Sequence, residues 1–219
     1  ITKRTRLEDL IVSRYSKPIN AMKLKDNDEL VSVIKDNGHA IFITEKGHYL
    51  NIASNEIPIV GAKASGIKGI SVKDDKVISC ISPSTTDEYL NIVTNKNTSK
   101  RIKISDLETM SRGKKGSTLI KKVKSTNYEI KNVFPVSIHD ILGLKIDGEF
   151  KGIKITEIPI MDLASTGSTL SKKTIDDTFI VSELKEIKIN ENEVITRPEQ
   201  PTDNSQELTI DDFIEDFKL

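Results

Sequence analysis

The chain has 219 residues, of which 33 are basic and 33 acidic; 36% are apolar and 30% charged. That is enough chain to bury a real core as one large domain or two small ones, and no apolar run approaches the roughly 20 residues that a bilayer-spanning helix needs. One cysteine, Cys80, excludes an internal disulfide framework and fits a reducing compartment. The chain shows no signal peptide and begins at Ile1, not Met, which points to a piece of a longer protein. Zero net charge hides a split. Residues 199–219 hold seven acids and one lysine, a net of −6, so residues 1–198 carry 32 bases against 26 acids, a net of +6. A basic body with an acidic tail fits a polyanion partner.

In chain order, KRTRLEDL (3–10) matches KRIKISDL (100–107), so the first residues read as the end of a preceding repeat. Then comes a polar turn and an apolar stretch, KDNDELVSV (25–33), a strand by its β-branched content. AIFITEKGHYLNI (40–52) reads as a hairpin turning at Gly47, NEIPI (55–59) as a strand end, and VGAKASG (60–66) as a loop. The order then recurs: KDDKVISCI (73–81), a hairpin over 89–104 turning at Asn97, SDLET (105–109), and MSRGKKG (110–116). It recurs again with STNYEIKNVF (125–134), a hairpin over 141–155 turning at Gly148, TEIPI (156–160) and MDLASTG (161–167). The three loops end on Gly66, Gly116 and Gly167, spaced 50 and 51 apart, as are the turns. Residues 168–189 echo 117–134. Each unit of about 50 residues is about four short strands of period two, the size of a large propeller blade. TRPEQPTDNSQ (196–206) reads as a linker. In ELTIDDFIEDFKL (207–219), Leu208, Ile210, Phe213, Ile214 and Phe217 fall near helical spacing.

Chemistry-bearing patterns are few. SRGKKGST resembles a phosphate loop in composition, but TLIKKVKS continues as strand where such a loop needs a helix. His39, His48 and His139 have no ligand-like spacing to one another or to Cys80. Cys80 lies between apolar neighbours and reads as a buried small hydrophobe. Glu56 and Glu157, each before an Ile-Pro, recur with the repeat and read as blade-edge residues, not as an acid/base pair. No catalytic residue and no metal or cofactor site is therefore expected in these residues.

With the repeats aligned, EIPIVGAKASGIKGISVKDDKVIS (56–79), INAMKLKDNDELVSV (19–33) and the KRT opening resemble the C-terminal domain of the A subunit of bacterial type IIA topoisomerases. The likeness covers residues 1 to about 190 and is nearest to topoisomerase IV of Gram-positive type, with gyrase as the sister. It implies an all-β fold, a β-pinwheel: a disc of propeller-like four-stranded blades in which neighbours exchange a strand. The corresponding division is a pinwheel over residues 1–195, with blades near 19–66, 67–116, 117–167 and 168–195 and with 1–18 completing a preceding blade, then a linker and acidic tail over 196–219. Family domains carry five or six blades, so about four here imply an open or partial disc. Gyrase carries the heptapeptide Gln-Arg-Arg-Gly-Gly-Lys-Gly in this domain. MSRGKKG matches it at Arg112, Gly113, Lys115 and Gly116 and departs at Met110, Ser111 and Lys114, a degraded box that favours topoisomerase IV over a gyrase wrapping domain.

The resemblance implies a basic outer rim that binds and bends duplex DNA and presents it to a catalytic core for ATP-dependent decatenation and relaxation. ATP, magnesium, an A2B2 heterotetramer and its B subunit belong to the parent complex, cytoplasmic and nucleoid-associated; the fragment itself is expected to be a monomer. Phosphate contact needs lysines and arginines, not base readers. The candidates are Lys3, Arg4, Arg6, Arg14 and Lys17; Lys63 and Lys68; Lys100, Arg101, Lys103, Arg112, Lys114 and Lys115; and Lys121, Lys122 and Lys124. The three loop glycines read first as a turn requirement, and MDLASTG, with no base, should contribute least. The acidic tail is expected to compete with DNA for the basic body. A propeller-like protein-interaction scaffold without DNA binding is the competing reading, and would bind across a face rather than along a rim.

Overall fold

The structure, a computed structural model, describes residues 1–11 and 18–181. Arg14, Lys17, the repeat echo beyond residue 181, the linker and the helical tail lie outside the described residues. Three hairpins organise the rest, at the positions the repeat predicts: β1 (His39–Thr44) with β2 (His48–Ala53), β4 (Tyr89–Thr94) with β5 (Thr98–Lys103), and β8 (Ile141–Ile146) with β9 (Glu149–Lys154). Their tips place Gly47 at φ 85°, Asn97 at 54° and Asp147 with Gly148 at 52° and 81°, the left-handed region that tight hairpin turns demand. Each hairpin runs into a one-turn 3-10 helix, at Ser54–Glu56, Ile104–Asp106 and Ile155–Glu157.

The remaining strands are β3 (Val77–Ile81), β6 (Ser117–Thr118), β7 (Ile130–Val136), β10 (Ser168–Thr169) and β11 (Asp177–Val181). Sheet order shows the exchange. The first sheet runs β3-β1-β2-β6, the second β10-β5-β4-β7 and the third β11-β8-β9. Strand β6 follows the second hairpin in sequence yet pairs with β2, through His48 with Thr118 and Tyr49 with Ser117. Strand β10 follows the third hairpin and pairs with β5, through Ser99 with Ser168 and Thr98 with Thr169. Sheets therefore straddle the sequence repeats, and the described residues hold three sheets, not four. The 168–195 repeat lends β10 and β11 to sheets whose hairpins lie earlier.

Strand burial is two-sided. Strands β1, β4 and β5 are buried at five of six positions, so the expected one-sided alternation is replaced by runs such as AIFIT. The reason is stacking of sheet on sheet. Ile41, Ile43 and Tyr49 of the first sheet share a core with Leu90, Ile92, Ile130 and Val133 of the second. Val93 and Val136 of the second pack with Leu142 and Leu144 of the third. Ala40, Phe42, Leu50 and Ile52, on the outer face of the first sheet, are covered by Ile57 and Ile70 from its own following loop.

The expected strand at 25–33 is absent: the segment is irregular, with Val33 81% exposed. Its equivalents β3 and β7 each join the first strand of a hairpin, β1 or β4. The described residues ahead of it offer only Thr2 and Arg4, bridged to Ile67 and Ile59, which occupy the place of a second strand. Without a first strand, the segment has no ladder to join.

Candidate nucleic-acid interface

The Lys-Arg pairs at 3–4 and 100–101 are expected to contact phosphate. The structure uses them otherwise. Lys100 is 1% exposed, and its Nζ donates toward the carbonyls of Leu119 (2.7 Å), Asp162 (3.1 Å), Leu163 (2.5 Å) and Ser165 (2.8 Å). An ammonium has three protons for these four acceptors, so every donor is used. Burial pushes its pKa down to about 8, against the pull of the Asp162 charge. Lys3 does the same one loop earlier, donating to Gly61 (3.0 Å) and Ala62 (2.5 Å), and its pKa is likewise lowered by burial. The neighbouring arginines repeat this. Arg4 Nε donates to the Ile57 carbonyl at 2.8 Å and Arg101 Nε to that of Ile158 at 2.6 Å. Arg4 also pairs with Asp36 at 3.1 Å, and Arg101 lies over the Tyr89 ring at 4.8 Å. These four side chains lace each inter-blade loop to the preceding hairpin, and they leave the candidate interface.

At the middle loop the two lacing positions are Leu50 and Asn51. Asn51 keeps the second contact, donating Nδ2 to Leu107 O at 3.0 Å. Leu50 has no charge to offer the loop carbonyls. SRGKKG is instead held through its backbone: Arg112 N to Glu56 Oε2 at 2.8 Å, Gly113 N to Gly69 O at 2.6 Å, and Ser71 N to Lys114 O at 2.8 Å. Glu56 thus has a structural task, as expected. Gly116, at φ 85°, lets the chain pass against the Tyr49 carbonyl, where a Cβ would collide. Gly66 and Gly167 make the same approach to Thr2 and Ser99, so this glycine belongs to the repeat. Gly113, at φ 80°, has open space around it and belongs to this loop alone.

The result is an exposed, doubly hinged basic loop. Arg112, Lys114 and Lys115 are all exposed, although one Arg112 nitrogen donates to Lys68 O at 2.6 Å. Arg6, Lys63, Lys68, Lys103, Lys121, Lys122 and Lys124 are exposed as well. The backbone bond from Lys121 N to Ala164 O (2.9 Å) repeats that from Ser71 N to Lys114 O, so each loop rests on the segment that follows the loop before it. Lys115 and Lys122 meet at one hollow, together with Lys46 and Lys73. Sequence reading missed those last two, because each sits in a turn with nearby acids and looks like ordinary solvated charge. MDLASTG carries Asp162 and no base, and its carbonyls are taken up by Lys100. Cys80 is half-buried, and burial pushes its thiol up to about 12, far from nucleophilic. Among the described residues no three His, Cys, Asp or Glu side chains gather as metal ligands, and no helix is long and apolar enough to cross a membrane.

Three face-stacked sheets that trade short strands, bound by repeating loops, define a blade-repeat domain of one family. Residues 1–35, 39–84 and 88–137, more than half of the chain, match the family described as DNA gyrase C-terminal domain, beta-propeller, and the chain belongs to it. The A subunit of DNA topoisomerase 4 from Bacillus subtilis (strain 168) is 30% identical over 171 residues, 77% of this chain and 21% of that protein. The chain thus spans about a fifth of the curated relatives it matches. A crystal structure of the C-terminal domain of DNA topoisomerase IV superposes with a TM-score of 0.75 at 26% identity, covering 82% of this chain and 58% of that one. A gyrase A C-terminal domain shares the fold at a TM-score of 0.63 and 21% identity, over 74% and 57% of the two chains.

Proposed function

We propose that this chain binds and bends duplex DNA for a type IIA topoisomerase, presenting it to a catalytic core carried by other segments. The observation that carries this reading is the contrast among the loops. The first and third are tied down by buried lysines, while the middle one has Leu50 behind it and turns Arg112, Lys114 and Lys115 outward. Outward charge on a stiff frame suits a phosphate backbone, which rewards counterion release and asks for little base readout. Bending a site of 20–30 base pairs costs roughly 1–6 kcal/mol, which several such contacts must offset. The relatives named topoisomerase 4, together with the degraded gyrase box, favour decatenation and relaxation over gyrase-like wrapping. The core, ATP and magnesium, the B subunit, and the A2B2 assembly at the nucleoid belong to the same proposal.

A mobility-shift titration across salt tests it. The triple variant Arg112→Ala, Lys114→Ala, Lys115→Ala should weaken binding and flatten the log–log salt slope by about 2–3 units. An unchanged slope would remove this loop from the DNA path. Ligation of relaxed circles on the protein then reads whether the bend is chiral, which separates gyrase-like from topoisomerase-IV-like behaviour.

A further inference from the structure

Beneath the SRGKKG loop lies a hollow of about 140 Å³. Lys46 of the β1–β2 turn, Lys73 ahead of β3, Lys115 of the loop and Lys122 after β6 stand around it, with Thr44, Ser71, Asp74 and Asp75. His48 lies at its base. The position of these groups is set by backbone: Leu119 N and Ile120 N both bond to Gly47 O, at 2.7 and 3.1 Å, which clamps the turn to the segment carrying Lys122. The two acids are largely spoken for. Asp75 Oδ1 accepts from Lys46 N (3.0 Å) and Lys76 N (2.8 Å), and the Lys46 ammonium reaches the Asp74 carbonyl. Four ammonium groups against two carboxylates leave the hollow net positive.

His48 is the odd member. Its Nδ1 is buried and makes no hydrogen bond; Asp75 Oδ2 stands 3.5 Å away, too far for one. Burial first, and then the Lys115 and Lys122 charges, hold its pKa below the usual value, while Asp75 pulls the other way. Hydrogen bonds from Thr44 and from the Lys46 and Lys76 backbone keep the Asp75 carboxyl below its own usual value in spite of burial, so the carboxylate is charged. A neutral imidazole therefore faces a permanent anion across a gap that one proton would close.

We propose that this hollow is a phosphate seat, and that a DNA phosphodiester occupying it between Lys115 and Lys122 lets His48 take up a proton and complete its ion pair with Asp75. The proposal rests on the reading of the basic loop as a DNA contact and gives that contact a fixed address. The anion offsets the two ammonium charges that oppose protonation, so binding and proton uptake are linked. Affinity then rises as pH falls through the His48 range, up to tenfold per pH unit, the limit for one proton.

The test follows the His48 ring by NMR between about pH 5 and 8, in the whole chain alone, with a duplex of about 30 base pairs, and with inorganic phosphate. The expected result with duplex is a His48 midpoint higher by about one pH unit, a shift absent in the Lys115→Ala, Lys122→Ala variant. His48→Gln should bind duplex with an affinity that no longer varies with pH in this range. A duplex that binds while the His48 midpoint stays still overturns the seat and leaves the DNA reading standing. Should no duplex bind, the DNA reading falls and the phosphate arm decides. A midpoint raised by inorganic phosphate keeps the seat for a free phosphate; an unmoved one ends it.

Discussion

Gly113 and Gly116 lie three residues apart at nearly the same φ, yet a methyl group means different things at each. At Gly113 it meets nothing, so Gly113→Ala should cost only the left-handed backbone penalty of about 1–2 kcal/mol. At Gly116 it drives into the Tyr49 carbonyl and β6 must leave β2, so Gly116→Ala should cost well over that amount in urea unfolding. Equal losses would mean that the strand exchange does not depend on this approach. Lys100 gives a pH signature. Its folded pKa is about 8 and its ordinary value 10.5, so above pH 8 the folded chain sheds a proton that the unfolded chain keeps, and stability rises with pH. Cys80 acts in the opposite sense above pH 9.0, its ordinary value, because the folded thiol stays protonated to about 12 while the unfolded one ionises. Denaturation curves should therefore show a gain between pH 8 and 9 that Lys100→Met removes, and a loss above pH 9 that Cys80→Ser removes.

Elements lean on their neighbours in sequence order, as in other stacked repeats. Residues 2–4 hold the first loop by four backbone hydrogen bonds, Thr2 N to Ile67 O, Ile67 N to Thr2 O, Arg4 N to Pro58 O and Val60 N to Arg4 O, and by the Lys3 and Arg4 side chains. That loop in turn covers the outer face of the first sheet through Ile57 and Ile70. Removing residues 1–4 should raise amide hydrogen exchange in β1 and β2 and leave β8 and β11 unchanged; a uniform rise would argue for one cooperative unit. The same dependence explains what the chain's sequence discloses. Hairpins and turns were legible because their signals are local: a glycine or asparagine at the tip and β-branched residues on both sides. Strand exchange was invisible, since Ser117–Thr118 and Ser168–Thr169 are two-residue strands with no pattern of their own. Leu30–Val33 looked like a strand and is not one, because pairing depends on an edge elsewhere. At the candidate site, Arg112 and Lys114 were legible as charge in a glycine loop. Lys100 was not, for a lysine on a strand looks the same whether it faces solvent or four carbonyls.

For the whole molecule the governing quantity is the distribution of charge. Residues 196–219 hold seven acids against Arg197 and Lys218, within a chain of zero net charge. DNA at low ionic strength responds to charge within roughly a Debye length, about 30 Å at 0.01 M salt and 8 Å at 0.15 M. A body of positive charge tethered to this acidic segment should therefore bind more weakly than the body alone, and the gap should close as salt rises. Truncation after Ile195 is expected to increase DNA affinity at low salt and to steepen the salt slope, because phosphate contacts no longer compete with carboxylates on the same chain. Two chains with equal affinity at every salt concentration would show that the acidic segment never reaches the DNA-binding surface. A gap that persists unchanged at high salt would point away from charge altogether, since screening acts on exposed ions and not on packed surfaces.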